Sequence, residues 1–434
     1  MFSLKGFFFP KLVDAPVAGL LDTKPLEPEG DPLTPLTVLK DDALFQVFVL
    51  GTRGAGKTVF LASLFHLLST QDGENNFILR CNDTKNFNQL RNTFKQIKNP
   101  AADWPAGTYA SQEYIFDCEH VKERKVINLF KFRYFDFPGG FITEGNSVDE
   151  INFVLGQVKN AHSVLVLLDG AKVRNLLDKR QPLPAGEPTI YDDLDMMVGI
   201  LQQCIGKPFH FAVTKSDILD KNVHTLDAIR SALLQHKGFH NLIAQQRKSY
   251  PVHLMPVSAV GDNFVEYDPS RQEMSKRADG RVEPQFVDLS LTLTLVDYLT
   301  MISDAISKQF PDQTESVIVR NWVWKKLRAA APLLGASAGP ISGPLLSTIT
   351  SFHPVLQVLV SVAATLSLQK IMDAGGTKLQ QTVEQLAKDT DEAFGKITDR
   401  QSAVEAILKN QVRRAVKFRE QYPGSYFASD QRLA

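Results

Sequence analysis

The chain has 434 residues, enough for about two or three domains, with 44% hydrophobic and 22% charged side chains, an ordinary globular balance. Its formal net charge is zero, so nothing global argues for nucleic-acid binding. Cys81, Cys118 and Cys204 are the three cysteines; they lie far apart without a C-x-x-C pair, indicate neither a disulfide framework nor a zinc site, and point to reducing cytosol. His236 and His240 have a metal-like helical spacing, but no carboxylate or cysteine pattern supports them, and they read as a surface pair.

Residues 1–41 read as a tail and linker. The run Phe7-Phe8-Phe9 lacks the length and cleavage site of a secretory signal, and reads as a segment that docks on the body of the protein or inserts shallowly in a membrane. Pro16, Pro25, Pro28, Pro32 and Pro35 make the following stretch an extended linker. Strands are then expected near 45–50, 109–119, 126–135, 163–168, 208–213 and 252–257, alternating with helical patterns. That alternation predicts an α/β fold over 42–310, a mostly parallel sheet with helices on both faces. The second and third strands are expected to form a hairpin around Lys122-Glu123-Arg124-Lys125. Residues 70–107 read as an insertion with a short strand at 77–80 and a helix near 85–98, with Thr84 as its N-cap. Residues 262–285, polar and rich in Asp, Arg and Gly, read as a surface loop, and Leu289–Phe310 as a closing helix. Residues 311–434 read as an α-helical C-terminal domain.

Gly51-Thr52-Arg53-Gly54-Ala55-Gly56-Lys57-Thr58 matches G-x-x-x-x-G-K-T between an apolar strand and an apolar helix. Glycines let the backbone curl closely around phosphates. The exposed N–H groups and the helix N-terminus supply positive potential. Lys57 is expected to reach the β- and γ-phosphates, and the Thr58 hydroxyl to hold Mg²⁺.

Further motifs follow in order. Asp136-Phe137-Pro138-Gly139 ends a strand and matches D-x-x-G; Thr214-Lys215-Ser216-Asp217 ends another and matches [NT]-K-x-D; Ser258-Ala259 ends a third. With the phosphate loop, these make the chain resemble a P-loop GTPase of the translation-factor and Ras-like (TRAFAC) class. The resemblance implies GTP and GDP as ligands, with Asp136 on Mg²⁺ through water and the Gly139 N–H on the γ-phosphate. It also implies that Asp217 accepts the two guanine donors, that Lys215 lies along the base, and that a backbone N–H at Ser258-Ala259 meets guanine O6. The switch threonine of that class is assigned to Thr108, in Trp104-Pro105-Ala106-Gly107-Thr108, ahead of Thr84. This W-P-x-G-T element also resembles bacterial double-GTPases of host-defence loci.

Two departures bear on catalysis. Gly140 stands where many Ras-like enzymes have glutamine, so hydrolysis is slow alone or its water is positioned by Thr143, Glu144, a partner, or a second copy. Arg53 stands inside the phosphate loop, where it either reaches the γ-phosphate or points to solvent or a partner.

Residues 329–369 contain no Asp, Glu, Lys or Arg, and Trp322, Trp324, Lys325, Lys326 and Arg328 precede them. Gly335, Gly339 and Gly343 share one helical face. Membrane contact is one reading; against spanning stand Pro332, Pro340, Pro344 and Pro354, and a buried hairpin is the other reading. From Gly376 to about Glu420 an apolar stripe returns, and Arg413 to Arg419 is a basic run for acidic lipid, a partner or solvent. Three functions remain: a cytoplasmic GTPase switch acting on a protein partner or second copy, a peripheral membrane-associated or membrane-perforating GTPase, and a non-hydrolysing nucleotide-binding scaffold.

Overall fold

A computed structural model describes residues 44–71, 74–108, 110–140, 148–178, 189–204, 206–248, 252–269, 271, 273–309 and 377–427. The N-terminal phenylalanines, the linker, Thr143, Glu144 and residues 329–369 lie outside them.

The sheet is built from strands apolar on both faces, as strands covered by two helical layers must be. β1 (Leu44–Leu50) sends Phe45, Val47 and Val49 into one core and Phe48 and Leu50 into the other. β2 (Ile78–Cys81), β3 (Gln112–Lys122), β4 (Lys125–Asp136), β5 (Ser163–Leu168), β6 (Phe209–Val213) and β7 (Leu254–Pro256) complete a seven-stranded sheet of order β2-β3-β4-β1-β5-β6-β7. β4, β1, β5, β6 and β7 run parallel, and β3 is antiparallel to both its neighbours. The β3–β4 hairpin turns at Glu123 and Arg124, both with positive φ, as a two-residue turn that follows sheet twist requires.

α1 (Lys57–Leu67), α2 (Thr84–Lys98), α8 (Val287–Gln309) and α10 (Arg400–Gln421) contribute to the core on one face. α3 (Val148–Asn160), α5 (Ile190–Leu201), α6 (Leu226–Leu234) and α7 (Lys237–Gln246) cover the other, and α4 (Gly170–Leu177) follows β5. α9 (Thr377–Gly395) packs on α10. The described chain is thus a mixed α/β fold, a mostly parallel sheet between two helical layers, with helices added at its C-terminal end.

The structure corrects several sequence expectations. Residues 262–285 are not a plain loop: β8 (Val265–Asp268) and β9 (Glu273–Lys276) pair antiparallel, and Val260 and Phe264 seat this segment on Ala62, Phe94 and Ile97 of α1 and α2. Its alternation is too short and polar to read as strand. Asp83, not Thr84, caps α2, its carboxylate accepting the Asn86 N–H at 2.7 Å. β3 begins at Gln112, three residues later than its expected start. The C-terminal stripe is two helices, because Asp399 and Ser402 form a capping box that starts α10. The basic run is not a solvated face: Arg414 pairs with Asp288 of α8 at 2.5 Å, and Arg419 lies 4.2 Å from the Tyr426 ring centre. Lys122 donates to the carbonyls of Phe394, in the last turn of α9, and of Ile397, just past it, at 3.3 and 2.9 Å. Among the described residues no helix is long and apolar enough to cross a membrane.

Candidate functional site

The parallel strands end on one side, where loops from β1, β4, β5, β6 and β7 meet. Between β1 and α1 the chain curls through Gly54 and Gly56, with φ of +85° and +82°, the left-handed region that disfavours any other residue. Lys57 is buried; its ammonium donates to the Gly51 and Thr52 carbonyls at 2.7 and 3.3 Å and lies 5.2 Å from the Phe137 ring centre. Burial lowers its pKa to about 8, against the pull of Asp136. Arg53 is exposed and lines the same cavity.

The three oxygen donors expected to serve a cation converge at the start of α1. The Thr58 and Thr108 hydroxyls lie 2.6 Å apart, and both donate to Asp136 Oδ2, at 3.4 and 2.9 Å. The other Asp136 oxygen, Oδ1, is buried without a hydrogen-bond partner. Burial pushes the Asp136 carboxyl up, while Lys57 and the two hydroxyls oppose that. Two hydroxyls and a carboxylate with an orphaned oxygen fit a hard divalent cation that completes its shell with phosphate oxygens and water. Gly139 sits against the loop: a Cβ there would lie 2.5 Å from the Arg53 nitrogen and 2.7 Å from Lys57 Nζ.

At the other end, Thr214 ties the phosphate loop to the base loop, its hydroxyl donating to the Ala55 and Leu168 carbonyls at 3.0 Å each. Lys215 adopts φ 53° and donates to Asp169 at 2.9 Å. Asp217 Oδ1 accepts the Ser258 hydroxyl at 2.6 Å; its Oδ2 is buried without a partner. Burial also raises the Asp217 carboxyl, opposed by Ser258. Ser258 in turn accepts the Gly261 N–H at 2.7 Å. One cavity of 720 Å³ runs from Lys57, Thr58 and Thr108 past Gly139 and Gly140 to Lys215, Asp217 and Ala259. Its size suits a nucleotide.

Sequence reasoning missed the supports. The Thr52 hydroxyl donates to Asp193 of α5 at 2.9 Å, and Lys172 of α4 pairs with the same carboxylate at 2.8 Å; Asp193 is wholly buried. Trp104 Nε1 donates to the Met274 carbonyl of β9 at 2.9 Å, and Lys276 stacks on its ring at 4.8 Å while donating to carbonyls of Gln96 and Ala102. So β8–β9 anchors the segment that carries Thr108. The one available signal was an uncommon tryptophan close to Thr108.

No family model matches the chain, and no curated protein matches it. Several solved structures align with parts of it. One is the signal recognition particle receptor SRb-GTP/SRX complex from Chaetomium thermophilum, 15% identical over 50% of this chain and 92% of that one, TM-score 0.29. Another is the G domain of the T. maritima FeoB iron transporter, 16% identical over 50% and 88%, TM-score 0.23. A third is an oligomerised bacterial dynamin pair described as sensing and tethering membranes, 13% identical over 90% and 70%, TM-score 0.25. At these identities and TM-scores the alignments carry no argument, and the functional reading rests on the loops.

Proposed function

We propose that this chain is a guanine-nucleotide switch that binds GTP with Mg²⁺ and hydrolyses it. One observation carries the reading: Thr58, Thr108 and Asp136 cluster beside the Lys57 loop, and Asp217 offers an unpartnered carboxylate oxygen at the far end of the same cavity. A buried acceptor without a donor is costly, and the guanine N1–H and N2–H₂ groups are donors that adenine lacks. Thr58, Thr108 and Asp136 are the residues to hold Mg²⁺, which when bound neutralises charge on the β- and γ-phosphates.

Lys57 and the loop N–H groups bind and orient the phosphates. Gly139, pressed against the loop, senses whether a γ-phosphate is present. Release of the γ-phosphate frees the Thr108 and Gly139 segments. Helix α8 touches both α1 and α10, which supports coupling of nucleotide state to the C-terminal helices and, through them, to a protein partner or a second copy. Arg53 lines the cavity beside Gly139 and supplies charge to the transition state from within the chain.

Binding titrations with labelled GTP and ATP test the first step. Lys57→Ala should abolish GTP binding, and Asp217→Asn should lower the preference for guanine by about 10-fold or more. Equal affinity of the wild type for ATP and GTP would refute the base assignment. Single-turnover hydrolysis tests the second step, and an Arg53→Ala rate equal to wild type removes Arg53 from the mechanism. A second reading, nucleotide binding without turnover, is favoured by Gly140, which lines the cavity with no side chain to orient water. The membrane reading rests on residues 329–369; liposome co-sedimentation with GDP and with a non-hydrolysable GTP analogue separates it from a cytosolic switch.

A further inference from the structure

Hydrolysis of GTP needs a group that orients the attacking water, and Gly140 has no side chain to do so. Helix α3 brings one to the same cavity. Its residues Glu150, Val154 and Val158 are four apart and share one helical face. Val154 and Val158 are buried, at 2 and 0% exposure, in the core that Phe48, Phe135 and Val164 share. Glu150 carries that stripe one turn beyond the core; it is half-buried and lines the nucleotide cavity. Ile151 could fill the stripe instead, since it stands three and seven residues before the two valines, yet it is 47% exposed. An apolar side chain in solvent beside a carboxylate turned into a cavity is the reverse of what burial alone favours.

The helix is seated at the phosphate end. It connects the parallel strands β4 and β5, so its first turn lies at the carboxyl edge of the sheet, level with the loops after β1 and β4. Phe153 packs on Phe135 with ring centres 5.7 Å apart, and Phe135 directly precedes Asp136. Glu150, one turn earlier on the helix, therefore faces the part of the cavity that Arg53, Gly139 and Gly140 line. Among the described residues lining the cavity, only Glu150 and Asp217 carry carboxylates, and Asp217 stands at the base end. Lys57 and Arg53 are cations, and the Thr58 and Thr108 hydroxyls are turned to Asp136. Glu150 is the side chain left to accept a proton from water.

We propose that Glu150 is a catalytic residue for GTP hydrolysis, an inference that rests on the reading of this chain as a GTPase. Its carboxylate accepts a hydrogen bond from the water that attacks the γ-phosphate. The water oxygen bonds to the γ-phosphorus, the bond from that phosphorus to the β–γ bridging oxygen breaks, and its electron pair leaves with GDP. The water proton passes to Glu150 and from there to the released inorganic phosphate. This carboxylate replaces the side chain that Gly140 lacks, and it reaches the water from a packed helix. Two rival roles are a first-turn charge on the α3 dipole and a partner for Arg53.

The test compares the full wild-type chain with Glu150→Gln and Glu150→Asp in the presence of Mg²⁺. Single-turnover GTP hydrolysis should fall about 100-fold or more in Glu150→Gln, and Glu150→Asp should keep more of the rate. Affinity of Glu150→Gln for a non-hydrolysable GTP analogue, read by isothermal titration, should be equal or tighter, because a neutral amide does not repel the γ-phosphate. Its affinity for GDP with aluminium fluoride, which mimics the phosphoryl group in transfer, should fall by about tenfold or more. A Glu150→Gln rate equal to wild type overturns the proposal. A loss of analogue affinity as large as the loss of rate also overturns it, and marks a role in folding or ground-state binding. A loss that disappears in the Arg53→Ala background overturns it as well, and assigns Glu150 to holding Arg53. A wild type that binds GTP and never turns it over defeats the hydrolysis reading and this proposal with it; an active wild type indifferent to Glu150 defeats this proposal alone.

Discussion

Lys172→Met isolates the buried ion pair behind the phosphate loop. Asp193 is wholly buried and accepts Lys172 and the Thr52 hydroxyl, whereas Lys172 keeps 17% of its side-chain surface. Removing one member of a buried pair costs about 3–5 kcal/mol, because an uncompensated charge remains. Here Thr52 still donates to the carboxylate and water reaches the lysine side, so about 2–3 kcal/mol is expected. At about 2–4 °C per kcal/mol, the Tm of the nucleotide-free protein should fall by about 4–12 °C. Lys172→Met/Asp193→Asn should recover part of the loss by removing the charge. The pH dependence has a definite sign. Burial already raises the Asp193 carboxyl above 3.8, and loss of Lys172 raises it further. Above 3.8 the folded variant then binds a proton that the unfolded chain releases, so the deficit shrinks as pH falls toward that value. The control is Lys221→Met, an exposed partner of Asp262, expected to change stability by less than about 0.5 kcal/mol. Urea or thermal unfolding at neutral pH reads both variants. A Lys172→Met no less stable than Lys221→Met would falsify the claim of a buried pair supporting the loop.

Lys57 makes nucleotide affinity pH-dependent. With its pKa near 8 in the empty site against 10.5 unfolded, the unfolded chain binds more protons between those values, so stability of the empty protein rises with pH there. Phosphates favour the ammonium, so GTP affinity should fall above pH 8 by up to about tenfold per unit, and a flat titration curve sinks the assignment. Gly139→Ala places a methyl 2.5 Å from the Arg53 nitrogen, and should weaken binding of a GTP analogue by about tenfold or more; unchanged affinity by isothermal titration means that Gly139 does not pack on the loop during binding. Trp104→Ala removes the bond to Met274 and the ring under Lys276, and should raise the Mg²⁺ concentration needed for half-maximal GTP-analogue binding; an unaltered requirement shows that the β8–β9 anchor does not position Thr108.

The sequence by itself determined the parts of this protein whose chemistry is local. Gly51–Thr58 needs a strand, a curl and a helix start in one short run, and each is written in adjacent residues. Asp136, Thr214–Asp217 and Ser258 sit at strand ends that hydrophobic runs announce, so the alternation of elements and the side of the sheet bearing the loops were legible too. Thr108 was placed by its position before a strand, and the structure brings its hydroxyl to Thr58 and Asp136.

Only the tertiary structure decided what supports these loops. Asp193 meets Thr52 across 141 residues of sequence, Trp104 meets Met274 across 170, and Arg414 meets Asp288 across 126. His210 of β6, His253 just before β7 and Asp297 of α8 meet in the interior, although local patterning describes each as ordinary core. The physical reason is common to all of them. Periodicity reports which face of an element is buried, but which polar groups then share that burial depends on how elements from distant parts of the chain stack.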